Sequence, residues 1–531
     1  MKLKSIFSLI IVLFINSCVS VKQYNNHIDE AISTTDLKKD VDYVQKKLKR
    51  YHPKLDLYNT KEEIDFKFDS FKKTIDKPLR PNEFYVKFFP IFSNLGHGHT
   101  DLYPLFKRLE KVKNKKYKNS KSAFMDFSFL WRNDSVFLVK DYSKTNPIVA
   151  GAELIAIDGY SMKDLYNKYN KSIYGDGFNT TFRYNIFNRT FLNYITLEQG
   201  LKDSVEFTFL VKNEVVKKKS FRTFSKPKVQ ESVKKDTILT KVVKQQQREL
   251  RLKQKRYGYN KATKSYSKNL YFPTNDSTIA VLKITDFKRG KTKELYKSVF
   301  SDIEKYKVKN LILDIRDNGG GYIEDAHYLY AYLVEDSKPF LGSKIVASKA
   351  SFGKTIYRIF PIPSYPLLWL GSGYTYFATT KNSNQEYELH VPFSFTNIKK
   401  ELIYKNNLYV MINGGSYSAS SLVSSNLQIK NRAYFVGEET GGDFNGTVAG
   451  LMPKFTLPHS KLTMSVGTVY LSPIEKREEI GHGNYPNKEV KPSLQSKIKG
   501  QDLELRWILN DIKNGNLEYN KLLKIENHLP N

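Results

Sequence analysis

From Ser277 onward, apolar runs of strand length alternate with segments of helical period, and no other feature of the chain constrains its fold so strongly. Ile279 to Ile284, Leu311 to Ile315, Leu408 to Ile412 and Tyr434 to Val436 are short and apolar throughout, as strands covered on both faces must be. Between them Thr292 to Tyr306, Ile323 to Val334 and Ala419 to Ile429 repeat apolar residues at helical spacing. The alternation predicts an α/β layer domain over residues 273–531. A stretch at about 338–405, rich in Pro, Tyr and Phe, interrupts it and is expected as an insertion over the active face.

The upstream half follows other periods. Leu37, Val41, Val44, Leu48 and Tyr51 form one helical stripe, Ile64, Phe68, Phe71 and Ile75 a second, and Pro81 opens a third helix through Phe84, Phe88 and Leu95. A helical bundle over residues 19–118 is expected, ending on Leu95, Gly96, His97, Gly98, His99 and Thr100. Residues 119–213 change to period two, as in Val205, Phe207, Phe209 and Val211, and form a β-rich domain. Within it Gly151 to Gly159 resembles the central strand and turn of a PDZ domain, a module that captures peptide carboxy termini by strand addition. Residues 214–272 are dense in Lys, Arg, Gln and Ser and are expected as an exposed basic linker, partly helical around Val242 to Leu252. The whole is a multidomain α/β chain.

Lys2 and Lys4 precede an apolar run, Ile6 to Ile15, that is too short for a membrane span of about 20 residues. Ile15, Asn16, Ser17 and Cys18 resemble a bacterial lipobox, so residues 1–18 are expected as a signal peptide with Cys18 acylated. That implies anchoring to the membrane of a bacterial cell envelope, on the periplasmic side or the surface, with the outer membrane favoured. Cys18 is the chain's one cysteine, so no internal disulfide can form. The net charge of +32 is mainly Lys spread along the chain, and no nucleic-acid motif accompanies it.

Two turns carry chemistry. Asp314, Ile315, Arg316, Asp317, Asn318, Gly319, Gly320 and Gly321 follow a strand, and the glycines free backbone amides to face a developing oxyanion. Asn413 to Ser421 runs Asn-Gly-Gly-Ser-Tyr-Ser-Ala-Ser-Ser between a buried strand and a helix, where a serine hydroxyl meets a helix amino terminus. Alone, such a serine is an N-cap as readily as a nucleophile.

Together these segments resemble the carboxy-terminal-processing (tail-specific) serine peptidases. Asp314 to Gly321 is similar to the family's Asp-x-Arg-x-Asn-x-Gly-Gly, Ser416 to Ser420 to its Ser-x-Ser-Ala-Ser, and Gly437 to Gly442 to its Gly-Glu-x-Thr-x-Gly. Leu95 to Thr100 and Gly481 to Pro486 resemble the first and closing motifs of the tricorn-like branch, from which His97 departs by replacing Asp. The resemblance implies a serine peptidase acting on polypeptide substrates without a cofactor or metal. It implies Ser418 as nucleophile and the Ala419, Gly320 and Gly319 amides as oxyanion donors. Where the processing branch has its activating lysine this chain has Asp443, and Ser421 replaces that branch's usual Glu, so the tricorn-like branch's histidine, His99, becomes the general base. A carboxylate near the closing motif is expected to orient it, Glu479 ahead of Glu478 and Glu475. A histidine near its ordinary pKa of about 6.5 would make activity rise with pH through that titration. Two alternatives stay open: metal binding by His97 and His99, and a non-catalytic ligand- or peptide-binding lipoprotein on the same fold.

Overall fold

The computed structural model describes residues 19–173, 175–224, 241–261, 263–361, 364–392 and 398–526; Cys18 and the apolar run before it lie outside the described residues. Near the amino terminus, helices α1 (Thr34–Tyr51), α2 (Lys61–Lys73) and α3 (Pro81–Leu95) pack through the stripes seen in the sequence, with Leu37, Val41, Phe68 and Phe84 fully buried. Ser33 caps α1, Thr60 and Glu63 form a capping box on α2, and Pro81 opens α3 where its missing N–H costs nothing. Gly96 ends α3 at φ 74°, a left-handed turn that a side chain would crowd against Gly177. The chain then crosses His97 to Thr100 into β1 (Asp101–Tyr103), which pairs antiparallel with Thr463–Ser465 from the far end of the sequence. That pairing fixes the histidine segment against the carboxy-terminal core.

Strands β2 (Phe127–Arg132), β3 (Ser135–Asp141), β4 (Glu153–Ile157), β5 (Ser204–Val211) and β6 (Glu214–Phe221) form an antiparallel sheet in that order, with helix α4 (Thr181–Gln199) packed on it through Phe187 and Phe191. Here the expected linker is corrected. Glu214 to Phe221 is an edge strand paired along its whole length with β5, through a tight turn in which Lys212 and Asn213 take φ 48° and 70°. Charged residues on the solvent side of an edge strand blunt it against aggregation, and the lysines there hid the period in the sequence. Residues 225–240 of the expected linker lie outside the described residues, and helix α5 (Lys241–Arg256) follows.

The core sheet starts earlier than 273. Its strands are β7 (Lys268–Tyr271), β8 (Ile279–Ile284), β9 (Asn310–Asp314), then β13 (Asn407–Ile412), β14 (Tyr434–Gly437) and β19 (Lys488–Glu489) from later in the chain, in that order. All run parallel except β7. Lys268 is fully buried and donates to Asp325 at 2.9 Å, so a cation that reads as linker belongs to the core. Helices α6 (Thr292–Lys305), α7 (Ile323–Ala331) and α10 (Ala419–Ile429) cover one face, and α11 (Leu503–Lys513) the other.

The expected insertion is mostly integrated. Its strands β10 (Lys344–Val346), β11 (Thr379–Lys381) and β12 (Tyr387–Leu389) join β15 (Thr447–Ala449) and β18 (Val469–Leu471) in a second sheet, ordered β11-β12-β10-β18-β15. Between β10 and β11 it forms a helical hairpin, α8 (Ser351–Ile359) and α9 (Tyr365–Phe377). Strands β16 (Lys454–Thr456) and β17 (Thr463–Ser465) complete a third sheet with β1. Among the described residues no helix is long and apolar enough to cross a membrane.

Candidate active site

The parallel strands β9 and β13 end side by side, and the two glycine-rich turns leave their carboxy ends together. Asn318 joins the turns: its side chain donates to the Ile284 carbonyl, and its carbonyl accepts the Tyr417 amide and the Ser420 hydroxyl. Ser416 donates to the Ile315 carbonyl at 2.8 Å and Ser421 to that of Ser416. Three of the turn's serines are thus committed to holding its shape. From Gly414 to Leu427 every residue is buried except Ser418, which is half-buried.

Ser418 stands at φ 60°, ψ −120°, immediately before α10, and its side chain makes no cap hydrogen bond to the helix. A non-glycine residue in that region is strained, and strain of this kind is kept where it aims a side chain. Gly320 lies against it at φ 87°, where an added Cβ would sit 2.8 Å from the Ser418 Cβ and 3.0 Å from the Ala419 nitrogen. Of the expected oxyanion donors, Ala419 and Gly319 have amides with no protein partner among the described residues, and Gly319 opens onto free space. Gly320 is the correction, because its amide donates to Asn318 Oδ1 at 3.0 Å.

His99 comes to this turn from the amino-terminal helices. Its ring stacks on Tyr417, centroids 4.9 Å apart, and its Nδ1 lies 2.9 Å from Tyr417 Oη and 3.2 Å from Thr447 Oγ1. Behind them is Asp176, fully buried, whose Oδ1 accepts the Gly98 amide at 2.9 Å and the Tyr417 hydroxyl at 3.2 Å. Because the hydroxyl donates to Asp176, its oxygen is left to accept the Nδ1 proton, and that tautomer leaves the Nε2 lone pair free. No hydrogen bond joins Ser418 to His99 among the described residues. Burial, with the cation of Lys288 adding to it, lowers the His99 pKa to about 4, so the ordinary value expected from the sequence is replaced by a base that stays neutral well into the acid range. Burial raises Asp176 to about 7, and the carboxylate of Asp443 acts in the same direction. Its Oδ2 is buried without a partner, which favours the neutral acid.

Glu479 is not the orienting carboxylate. It sits at the surface, accepts from the Tyr485 hydroxyl at 3.0 Å and pairs with Arg477 at 3.0 Å. Glu475 and Glu478 make no contact with His99 either. The sequence offered little to find Asp176: it lies in a Gly-Asp-Gly triplet far from every motif, and Thr447 carries no signal at all. Asp443, at the lysine position of the processing branch, accepts from Tyr58 at 2.7 Å and from the Gly481 amide at 2.9 Å, tying the closing motif to the core. His97 does not share a site with His99. It is buried against His52 at 4.1 Å between ring centroids, and its Nε2 lies 3.2 Å from the Leu55 carbonyl oxygen. Among the described residues no cluster of three or more His, Cys, Asp or Glu side chains could hold a metal ion.

The first signature has a structural half. Arg316 pairs with Asp314 through two bonds of 2.9 Å, with Asp502 at 2.7 Å and with Glu504 at 3.2 Å, binding β9 to α11. In the third, Glu439 accepts the Gly483 amide at 2.7 Å and Thr440 accepts that of Asn484 at 2.8 Å, so the closing motif zips onto it.

A search of curated proteins by sequence finds no match. The fold resembles that of mature CPAF, with a TM-score of 0.52 at 11% identity over 92% of this chain and 98% of that one. It likewise resembles mature CPAF complexed with lactacystin, with a TM-score of 0.53 at 11% identity over 92% and 99%. At such identity the likeness is one of fold. Residues 278–481, which hold both glycine-rich turns, Ser418 and Gly437 to Gly442, match the model of peptidase family S41. Over those residues, which make up less than half of the chain, the protein is similar to peptidase family S41, and it is a serine peptidase.

Proposed function

We propose that this peptidase is anchored in a bacterial envelope through Cys18 and cuts envelope polypeptides near unstructured carboxy termini, with Ser418 as nucleophile, His99 as general base and Asp176 as the residue that positions His99. The observation that carries the catalytic assignment is the setting of Ser418. Between Gly414 and Leu427 it is the one residue that is not buried, its backbone is strained, and it is next in sequence to the tyrosine that holds His99 by its Nδ1.

In this reading Ser418 Oγ attacks the scissile carbonyl carbon while its proton passes to His99 Nε2. The carbonyl oxygen becomes an oxyanion facing the free Ala419 and Gly319 amides, an arrangement often worth about 3 to 4 kcal/mol per donor. The imidazolium is stabilised through the Tyr417 hydroxyl by ionised Asp176, then gives its proton to the leaving amine, and water repeats the sequence on the acyl-serine. The missing resting bond between Ser418 and His99 is an ordinary feature of a substrate-free site that tightens when substrate binds. The β2–β6 sheet, whose β4 carries the PDZ-like run, supports selection of chain ends by strand addition.

The test is labelling by a fluorophosphonate probe, with the modified residue mapped by mass spectrometry, alongside cleavage of an unstructured peptide with a free or an amidated carboxy terminus. Labelling at Ser418 and preference for the free terminus are expected. Labelling at another serine refutes the site, and equal cleavage of both peptides refutes the terminal preference. A Cys18→Ala protein that still fractionates with membranes in high salt refutes the anchor.

A further inference from the structure

The α8–α9 hairpin has a face that no other described residue covers. Its helices pack closely, with Gly353 so near Ser372 that an added Cβ would lie 2.9 Å from the serine's Cβ. On the outside, Phe360, Trp369, Leu370, Tyr374 and Phe377 are 47 to 79% exposed. Single exposed apolar residues are ordinary, whereas five on one short hairpin mark an interaction surface.

Charge says what kind. Between Ser337 and Gln385 the sequence contains six Lys or Arg and neither Asp nor Glu. Two clefts share Lys354 and Tyr357. One, of about 520 Å³, is walled by Trp369, Leu370, Tyr374 and Phe377. The other, of about 620 Å³, is lined by Arg50, Lys354, Arg358 and Lys454 with no carboxylate. Arg358 lies over the Phe455 ring, 4.9 Å from its centroid, which favours this position of its charge. An aromatic ridge thus adjoins a pocket of uncompensated cations.

We propose that the α8–α9 hairpin docks on the anionic surface of a lipid bilayer, its aromatic side chains at the boundary of headgroups and acyl chains and a lipid phosphate in the cationic cleft. Trp and Tyr favour that boundary because one end of the ring system is apolar and the other polar. Helix α9 has 13 residues, against about 20 needed to span, so it lies in the interface. A second copy of the chain suits the surface poorly, since a two-fold contact would set the same four cations against themselves. The proposal does not depend on acylation of Cys18, which would only hold the hairpin near the membrane.

The experiment uses the full chain with vesicles of phosphatidylglycerol or phosphatidylcholine whose acyl chains are brominated. Trp131 and Trp507 are present in both proteins, so the difference in quenching between wild type and Trp369→Phe isolates Trp369. In phosphatidylglycerol, Trp369 emission should fall at least about twofold. That loss should shrink in phosphatidylcholine and in about 0.5 M salt, where exposed charges are screened within a few ångströms. Leu370→Ser/Phe377→Ser and, separately, Lys354→Glu/Lys454→Glu should each weaken vesicle binding about tenfold without changing turnover of a soluble peptide. Absence of Trp369 quenching in phosphatidylglycerol overturns the proposal. So does lipid-free dimerisation abolished by Leu370→Ser/Phe377→Ser, which would make this face an interface between copies.

Discussion

Replacing Asp176 by asparagine should stabilise the protein progressively as pH rises while disabling it. Burial carries this carboxyl from 3.8 to about 7. Each tenfold is worth about 1.4 kcal/mol, so the ionised group disfavours the folded state by about 4 kcal/mol. The unfolded chain loses this proton near 3.8 and the folded chain near 7, so between them the native state holds the extra proton. Wild-type stability therefore falls with rising pH from about 4 to about 7 through this group, then levels. Asparagine has no such titration. The unfolding free energy of Asp176→Asn minus that of wild type should climb by about 4 kcal/mol across the window. Its orphan amide N–H adds a constant penalty of about 1 to 3 kcal/mol, which shifts the curve without tilting it. The buried histidines titrate in both proteins and cancel. Urea unfolding in half-unit pH intervals measures the difference. Turnover should move the other way, about 100-fold down in kcat with little change in KM, because asparagine accepts the same hydrogen bonds but cannot supply the negative charge that stabilises the imidazolium. Parallel stability curves would refute the burial argument, and unchanged kcat would show that the imidazolium does without the charge of Asp176.

Other outcomes follow from the same geometry. Ser418→Ala and His99→Ala should each remove nearly all turnover of an unstructured peptide, and the double variant should be little worse than either, since the pair acts as a unit. Gly320→Ala should lower both folding yield and kcat, because its Cβ would meet the Ser418 Cβ at 2.8 Å in a backbone conformation at φ 87° that alanine resists. Arg316→Ala should cost about 3 to 5 kcal/mol in urea unfolding, as it leaves the almost wholly buried Glu504 without its counter-charge and the equally buried Asp314 with only the part-exposed Lys283. In kcat/KM, the acid limb should fall near 7, where Asp176 ionises, and should move towards 4, where His99 protonates, in whatever activity Asp176→Asn retains.

What can be read from the sequence is what repeats or what clusters. The stripes of α1 to α3 and the apolar runs of β8, β9, β13 and β14 are periodic, so their burial is legible in the pattern of residues alone. Ser418 is legible because the turn that aims it is local, built from residues within a few positions. Asp176 is not, because it reaches His99 through the hydroxyl of Tyr417, a residue more than 200 positions away in sequence. Glu479 fails for the complementary reason: nearness in sequence to the closing motif says nothing about depth, and its side chain points to Arg477 and solvent. The basic stretch from 214 misleads because lysines on the outer side of β6 and a buried Lys268 have the composition of a linker and the geometry of sheet.

In the proposed mechanism the interposed hydroxyl of Tyr417 lets a half-buried histidine act as a base. A carboxylate in direct contact with Nδ1 would favour imidazolium and raise the histidine's pKa, trapping the proton that must be passed on. With Tyr417 between, burial outweighs the distant carboxylate and the His99 pKa drops to about 4. The imidazole is then neutral at every pH where the protein would work, but as a weaker base it needs help at the moment it becomes charged. That help comes from Asp176 only in its ionised form, which burial and Asp443 both oppose. The two groups therefore stand in opposite positions: His99 is easily kept neutral and Asp176 is hard to keep charged. Proton transfer from Ser418 places a positive ring one hydroxyl away from that negative carboxylate, relieving the unfavourable state of Asp176 as the unfavourable state of His99 is formed. Strain held in the resting carboxylate is thereby released in the transition state, where lowering the energy raises kcat rather than substrate affinity.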